Sequence, residues 1–205
     1  DITNFITIDI GRPLHVFDAD KIGTRLNMRN ANGEEKIFAL DKKEYQLDST
    51  VTIIADKNNP LAIAGIMGGS ETGCTDNTKN VFLEVALFDP SQVAKTGRKL
   101  GINSDARYRF ERGLDKEIIE EGLEYASYLI NKICGGSVSK NTSAGKLDKN
   151  THVIDYNFNY FEKVIGLHLS SEVQIKILKS LLFKINKITD KSCVVEVPSW
   201  RNDVI

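Results

Sequence analysis

The chain has 205 residues, enough for one large domain or two smaller ones, and either can bury a core. With 41% hydrophobic and 27% charged residues and a net charge of -1, it has no global basic field, so nucleic-acid contacts must come from local patches. The apolar runs are too short to cross a bilayer, and no charged, apolar leader marks secretion.

Asp1 rather than Met at the start is expected of a fragment or a processed chain. Cys74, Cys134 and Cys193 lie far apart with no C-x-x-C spacing. That pattern speaks against a disulfide framework and a zinc site, and for reduced thiols in a cytosolic protein.

The first 90 residues read mainly as strands with turns. Phe5 to Ile10 alternates loosely until Gly11-Arg12-Pro13 breaks it. Val51 to Ala55 and Leu61 to Ile66 are short apolar runs bounded by turn residues such as Asn58-Asn59-Pro60. Val81 to Phe88 is the clearest strand. Both of its faces are apolar except at Glu84, which predicts a strand covered on both sides.

From Asp115 the period becomes helical, with Ile119, Leu123, Ala126, Ile130 and Ile133 on one stripe and Gly135-Gly136 as the stop. Ser137 to Asn150 is polar and reads as a linker. Tyr156 to Ile165 predicts a short helix ended by Gly166. Ser171-Glu172-Val173-Gln174 has the form of a capping box. It opens a helix over 171–185 in which Leu178, Leu181, Leu182 and Ile185 share a face, while Lys176, Lys179 and Lys184 are displayed. Cys193 to Val197 alternates as a strand. Two helices followed by a strand pair suggest a small winged-helix-like module.

Among candidate functional residues Glu84 is the most informative. A carboxylate on a strand buried on both faces is costly unless it is hydrogen-bonded. It either reaches water or an Arg at the strand edge, or serves as an acceptor lining a pocket. Gly65-Ile66-Met67-Gly68-Gly69-Ser70 follows a strand and is either a tight turn or a place where backbone N–H groups face a ligand. It has neither Walker nor dinucleotide-binding spacing. His15 stands alone and is structural or a pocket residue. Lys95 to Arg112 carries six basic residues against Asp105 and Glu111, either a phosphate-binding patch or a solvated face with local salt links.

The segments DITNF, GRPLHVFDADKI, LAIAGIMGGSETG, NVFLEVALFDP and GRKLGINSDARYRFERGLD, in this order, resemble the β subunit of bacterial phenylalanyl-tRNA synthetase; VPSWRND extends the resemblance toward the C-terminus. The resemblance implies an α+β fold, with a mixed-sheet editing domain and packed helices over residues 1–146. A partial winged-helix-like α+β module would follow over 147–205. In that family the editing pocket removes tyrosine misattached to the phenylalanine tRNA.

Carried over by position, the acceptor of the tyrosine hydroxyl falls on Glu84, with Gly68, Asn4 and Ala106 as further substrate contacts. His15 and Ser104 would orient water or the ester. Relatives often have Thr at the position of Ser104 and a small polar residue at that of Arg107. Lys95, Arg98, Lys99, Arg107 and Arg109 are the expected tRNA contacts.

The implied partners are the aminoacylated 3′ end of the phenylalanine tRNA and an α subunit, in an αβ heterotetramer in the cytoplasm, with no membrane. No metal or other cofactor is expected, nor ATP, because the family's aminoacylation centre lies on the α subunit. The alternative is a non-catalytic tRNA-docking or subunit-assembly region of the synthetase.

Overall fold

A computed structural model describes residues 1–147 and 151–204, so the last three positions of the expected linker, 148–150, lie outside the described residues. The chain divides into two units, Asp1–Asn141 and Thr142–Ile205.

In the first unit, Phe5 to Ile10 is not a strand. The segment belongs to helix α1, Ile2–Asp9, which buries Ile6 and Thr7. Phe5, Ile8 and Ile10, whose spacing suggested a strand, are exposed. What holds the helix is tertiary: α1 packs on α4, Ile119–Cys134, and the Tyr125 hydroxyl donates to the Asp9 carboxylate at 3.1 Å. Within α4, Ala126 is buried as the stripe predicted, but Ile133 at its end is exposed.

Strands β1 (His15–Asp18) and β8 (Val81–Glu84) form a two-stranded antiparallel sheet in which His15 faces Glu84 and Asp18 faces Val81. The strand expected over Val81 to Phe88 therefore ends at Glu84. Val81 and Phe82 are 44% and 40% exposed, so its outer end is not covered on both sides. Among the described residues β1 is its sole partner, and beyond His15 the chain reaches Pro13, which has no N–H for a further rung.

A four-stranded sheet runs in the order β2 (Asn27–Asn30), β5 (Thr52–Ala55), β6 (Pro60–Ile63), β7 (Met67–Gly68). The hairpin β3 (Glu35–Phe38)–β4 (Glu44–Leu47) is tied to it by an Ala39–Gly69 bridge. All strand pairings described are antiparallel. The fold is α+β, with several small sheets and packed helices.

Helix α2 (Pro90–Leu100) is strongly punctuated. Asp89 caps it by accepting from the Gln92 N–H at 2.7 Å, Pro90 opens it, and Gly101 closes it at φ 65°. The six-residue α3 (Asp105–Phe110) follows, capped by Ser104. Phe88 and Phe110 pack with ring centroids 5.0 Å apart, in one core with Val93, Ile53, Ile63, Leu47 and Phe17. Fully burying each such side chain stabilises by about 1.5–3 kcal/mol.

The second unit runs β9 (Val153–Asn157), α5 (Phe158–Ile165), α6 (Ser171–Ser180), β10 (Lys184–Ile188) and β11 (Ser192–Glu196), with sheet order β10-β11-β9. Its core is Phe158, Phe183, Cys193, Val195 and Val197. Gly166 closes α5 in the left-handed region, but Tyr156 belongs to β9 rather than to that helix.

The helix expected over 171–185 stops at Ser180. Leu181 and Leu182 are exposed in the turn, Ile185 lies in β10, and Lys184 pairs with Glu196 at 2.7 Å. The cap is Ser170, one residue earlier than the expected box. Gln174 is buried instead, donating to the carbonyls of Phe158 and Leu169 and accepting from the Tyr156 hydroxyl.

Candidate functional site

The first unit contains a cavity of about 660 Å³. Asn4 of α1, His15 of β1, Gly68 of β7, Glu84 of β8, and Ser104 and Ala106 at the start of α3 all line it. Five elements remote in sequence thus bring together the six pocket residues picked out from the sequence. Ala62, Ile63, Ala64, Ile66 and Met67 supply apolar wall, so the space suits an apolar group with a polar tip.

His15 and Glu84 meet across the last rung of the β1–β8 ladder, where directly opposed side chains share a face. Desolvation dominates both. It pushes the Glu84 carboxyl up to about 7 and the His15 imidazole down to about 4. Near neutrality His15 is uncharged while Glu84 is poised between its two forms. Glu84 keeps some accessible surface because it faces the cavity, and among the described residues no ion pair or hydrogen bond engages its carboxyl. The Nε2 of His15 is buried and has no hydrogen-bond partner among the described residues. Its ring stands edge-on to Phe17, centroids 4.3 Å apart.

Gly68 has a specific steric reason. A Cβ there would overlap the His15 ring, meeting Nε2 at 2.7 Å and Cε1 closer still. The glycine turn thus makes room for the imidazole. Its N–H groups are partly used within the fold, since that of Gly69 donates to the Leu61 carbonyl at 2.8 Å.

The Ser104 hydroxyl donates to the Ile66 carbonyl at 2.6 Å and accepts from the Arg107 N–H at 3.1 Å. It pins α3 to the glycine turn, which limits how it can also orient a water.

The basic residues divide. Lys99 pairs with Asp48. Arg107 is largely buried, pairs with Glu111 at 3.0 Å, donates to the Ile102 carbonyl at 2.6 Å and lies against Gly97. Arg109 holds Asp105 at 3.6 Å. Lys95 and Arg98 have no ion pair among the described residues.

Sequence reading passed over Arg12, which is completely buried, and took Cys74 and Cys134, which line the cavity, only as reduced thiols. The Gly-Arg-Pro context of Arg12 offered only a break signal. Helix α2 was also missed, although Asp89-Pro90 and Gly101 are the start and stop signals that would have found it. Among the described residues no group of three or more His, Cys, Asp or Glu side chains is placed to hold a metal, and no helix is long and apolar enough to cross a membrane.

Residues 1–135 match the family model of the B3/4 domain. The chain belongs to that family. The cavity lies wholly within this B3/4 domain, and residues 154–205 match the tRNA synthetase B5 domain.

The chain is 47% identical over 204 residues to the phenylalanine–tRNA ligase beta subunit of Brucella suis biovar 1 (strain 1330), and 45% identical over 204 residues to that of Bradyrhizobium diazoefficiens. Each match covers 100% of this chain and 25% of the relative, so the chain spans about a quarter of their length. Among solved structures it is similar to an N-terminal fragment of the phenylalanyl-tRNA synthetase beta-subunit from Pyrococcus horikoshii, at 18% identity and a TM-score of 0.47, covering 99% of this chain and 60% of that one.

Proposed function

We propose that the B3/4 domain is an editing site that hydrolyses tyrosine wrongly attached to the phenylalanine tRNA, as part of a phenylalanine–tRNA ligase beta subunit. The observation that carries this reading is Glu84: a desolvated carboxyl without a partner among the described residues, facing an apolar-walled cavity. Tyrosine differs from phenylalanine by one hydroxyl, and that hydroxyl satisfies Glu84, whereas phenylalanine leaves it desolvated and unpaired. Sites that hydrogen-bond a substrate hydroxyl discriminate by about 10⁴ to 10⁵. Glu84 is then a specificity residue.

The reaction is attack of water on the ester carbonyl, releasing tyrosine and the free 3′ hydroxyl of the tRNA. Neutral His15 is available as a hydrogen-bonding group and not as a cation. Asn4 and Ala106 complete the substrate contacts, with Ser104 holding the wall in place. The phosphates approach over α2 and α3, where Lys95 and Arg98 are the cations least committed within the fold.

In this reading the whole protein is cytoplasmic and pairs with an α subunit in an αβ heterotetramer. The domains divide at about residue 146, and the B5 region forms a winged-helix-like module.

The test is binding of non-hydrolysable 3′-aminoacylamino-adenosine analogues by calorimetry. The tyrosyl analogue should bind more tightly than the phenylalanyl one, and Glu84→Ala should abolish the difference. Equal affinities in the parent chain would contradict the assignment of Glu84.

A further inference from the structure

Arg12 combines three features that ordinary structural arginines do not. It is 0% exposed, it carries a charge whose donor groups serve backbone carbonyls, and its Nε–H is buried with no partner among the described residues. One terminal nitrogen donates to the Ala86 carbonyl at 3.0 Å and the other to the carbonyl of Asp115. Burial works against the charge, and only the electrostatic influence of Asp115 opposes that. A buried cation is an expensive way to satisfy two carbonyls, so its placement matters.

The β1–β8 ladder ends at the His15–Glu84 rung. Three residues before His15 lies Arg12, and two residues after Glu84 lies Ala86. The chain in between on the β1 side includes Pro13, which cannot donate a rung. The guanidinium spans the open end of the sheet where backbone pairing has stopped. Its second bond reaches the segment leading into α4, and its stem lies against Gly122 of that helix.

We propose that Arg12 is a positioning residue for the His15–Glu84 pair: by bridging the Ala86 and Asp115 carbonyls it closes the frayed end of the β1–β8 sheet and holds Glu84 at the cavity wall. This rests on the proposed editing role only for its consequence in selectivity, since the placement of Glu84 is measurable without substrate. Arg12 touches no reacting atom. Releasing it lets the strand end move and water reach the carboxyl, so Glu84 ionises more easily. Losing the positive charge by itself would do the opposite and make ionisation harder, which gives the test a direction.

The experiment follows the side-chain carboxyl carbon of Glu84 by NMR as a function of pH, in the parent chain, in Arg12→Met and in Arg12→Lys. The last variant keeps the charge and much of the stem but has a single terminal nitrogen, which cannot bridge the Ala86 and Asp115 carbonyls as the guanidinium does. The expected result is a midpoint near 7 in the parent and lower in both variants, larger in Arg12→Met. Should Arg12→Met fail to give a folded spectrum, Arg12→Lys decides alone.

A second readout compares tyrosyl- and phenylalanyl-analogue affinities, in which the preference should shrink at least severalfold in parallel with the midpoint. An unchanged or raised midpoint in a folded variant overturns the proposal. A lowered midpoint without any tyrosine preference in the parent supports the positioning role and sinks the editing role instead.

Discussion

His15 and Glu84 are cross-strand partners at the terminal rung of a two-stranded sheet, and the same burial drives their protonation in opposite directions. In the unfolded chain, between pH 4.5 and 6.5, histidine holds a proton and glutamate does not. In the folded chain Glu84 holds it and His15 does not. Folding in that window moves one proton from the imidazole to the carboxyl with no net uptake from solvent.

The linkage has a sign for each partner. Glu84, raised from 4.5 to about 7, contributes stability that is complete below 4.5 and is lost as pH climbs to 7. His15, lowered from 6.5 to about 4, contributes stability lost as pH falls from 6.5 to 4. The two slopes oppose each other where they overlap. Of the other titratable groups lining the cavity, Asp1, Cys74, Asp105 and Cys134, none is an imidazole. Urea unfolding at a series of pH values should show the pair contributing little slope between about 4.5 and 6.5. Glu84→Gln should add a rise of up to about 1.4 kcal/mol per pH unit there, one proton's worth. Identical slopes in parent and variant would contradict the exchange.

Gly68→Ala should destabilise the first unit by about 1–3 kcal/mol, the usual cost of overpacking, because the new methyl overlaps the His15 ring. Pairing it with His15→Ala should recover much of that loss, a coupling read from thermal melts of the four species in the cycle. Additive losses would mean that the glycine serves some other purpose.

Tyrosine preference should rise with pH through about 7. An ionised acceptor contributes about 1.5–3 kcal/mol to a hydrogen bond against about 0.5–1.5 for a neutral one. The tyrosyl-to-phenylalanyl affinity ratio should therefore grow several-fold between pH 6 and 8. Glu84→Gln should flatten that profile while keeping part of the preference.

The basic helices should separate by role. Lys95→Ala and Arg98→Ala should leave the melting temperature within about a degree or two and each lower the slope of log affinity against log salt by about 0.7–0.9, if one phosphate contact is lost. Arg107→Ala should cost about 1–3 kcal/mol of stability, because it removes the pair with Glu111 and the donor to Ile102.

How much of this was legible in the sequence varied by element. Strands β5 and β6 and helix α4 follow from local patterning and turn residues. α1 did not, because its helicity is held by packing on α4 rather than by the alternation of Phe5, Ile8 and Ile10. In the second unit the leucines of 178–182 continue an apolar pattern past Ser180, yet Leu182 adopts φ 66° and turns the chain. Asn4, Ser104 and Ala106 were named only through a family resemblance, and no local spacing brings Asn4 and Ser104 to one cavity. Arg12 was invisible for the same reason: its role depends on carbonyls 74 and 103 residues away. Burial of a charge cannot be read from a residue's neighbours in sequence.

The most direct measurement is deacylation of tyrosyl and phenylalanyl esters of the phenylalanine tRNA, comparing the parent chain with Glu84→Ala, alone and within the full αβ enzyme. Selective loss of tyrosine in the parent that disappears in the variant is the predicted result. Tyrosyl ester cleaved no faster than in buffer, in the fragment and in the full enzyme alike, would contradict the account and leave a domain that docks tRNA or assembles the synthetase.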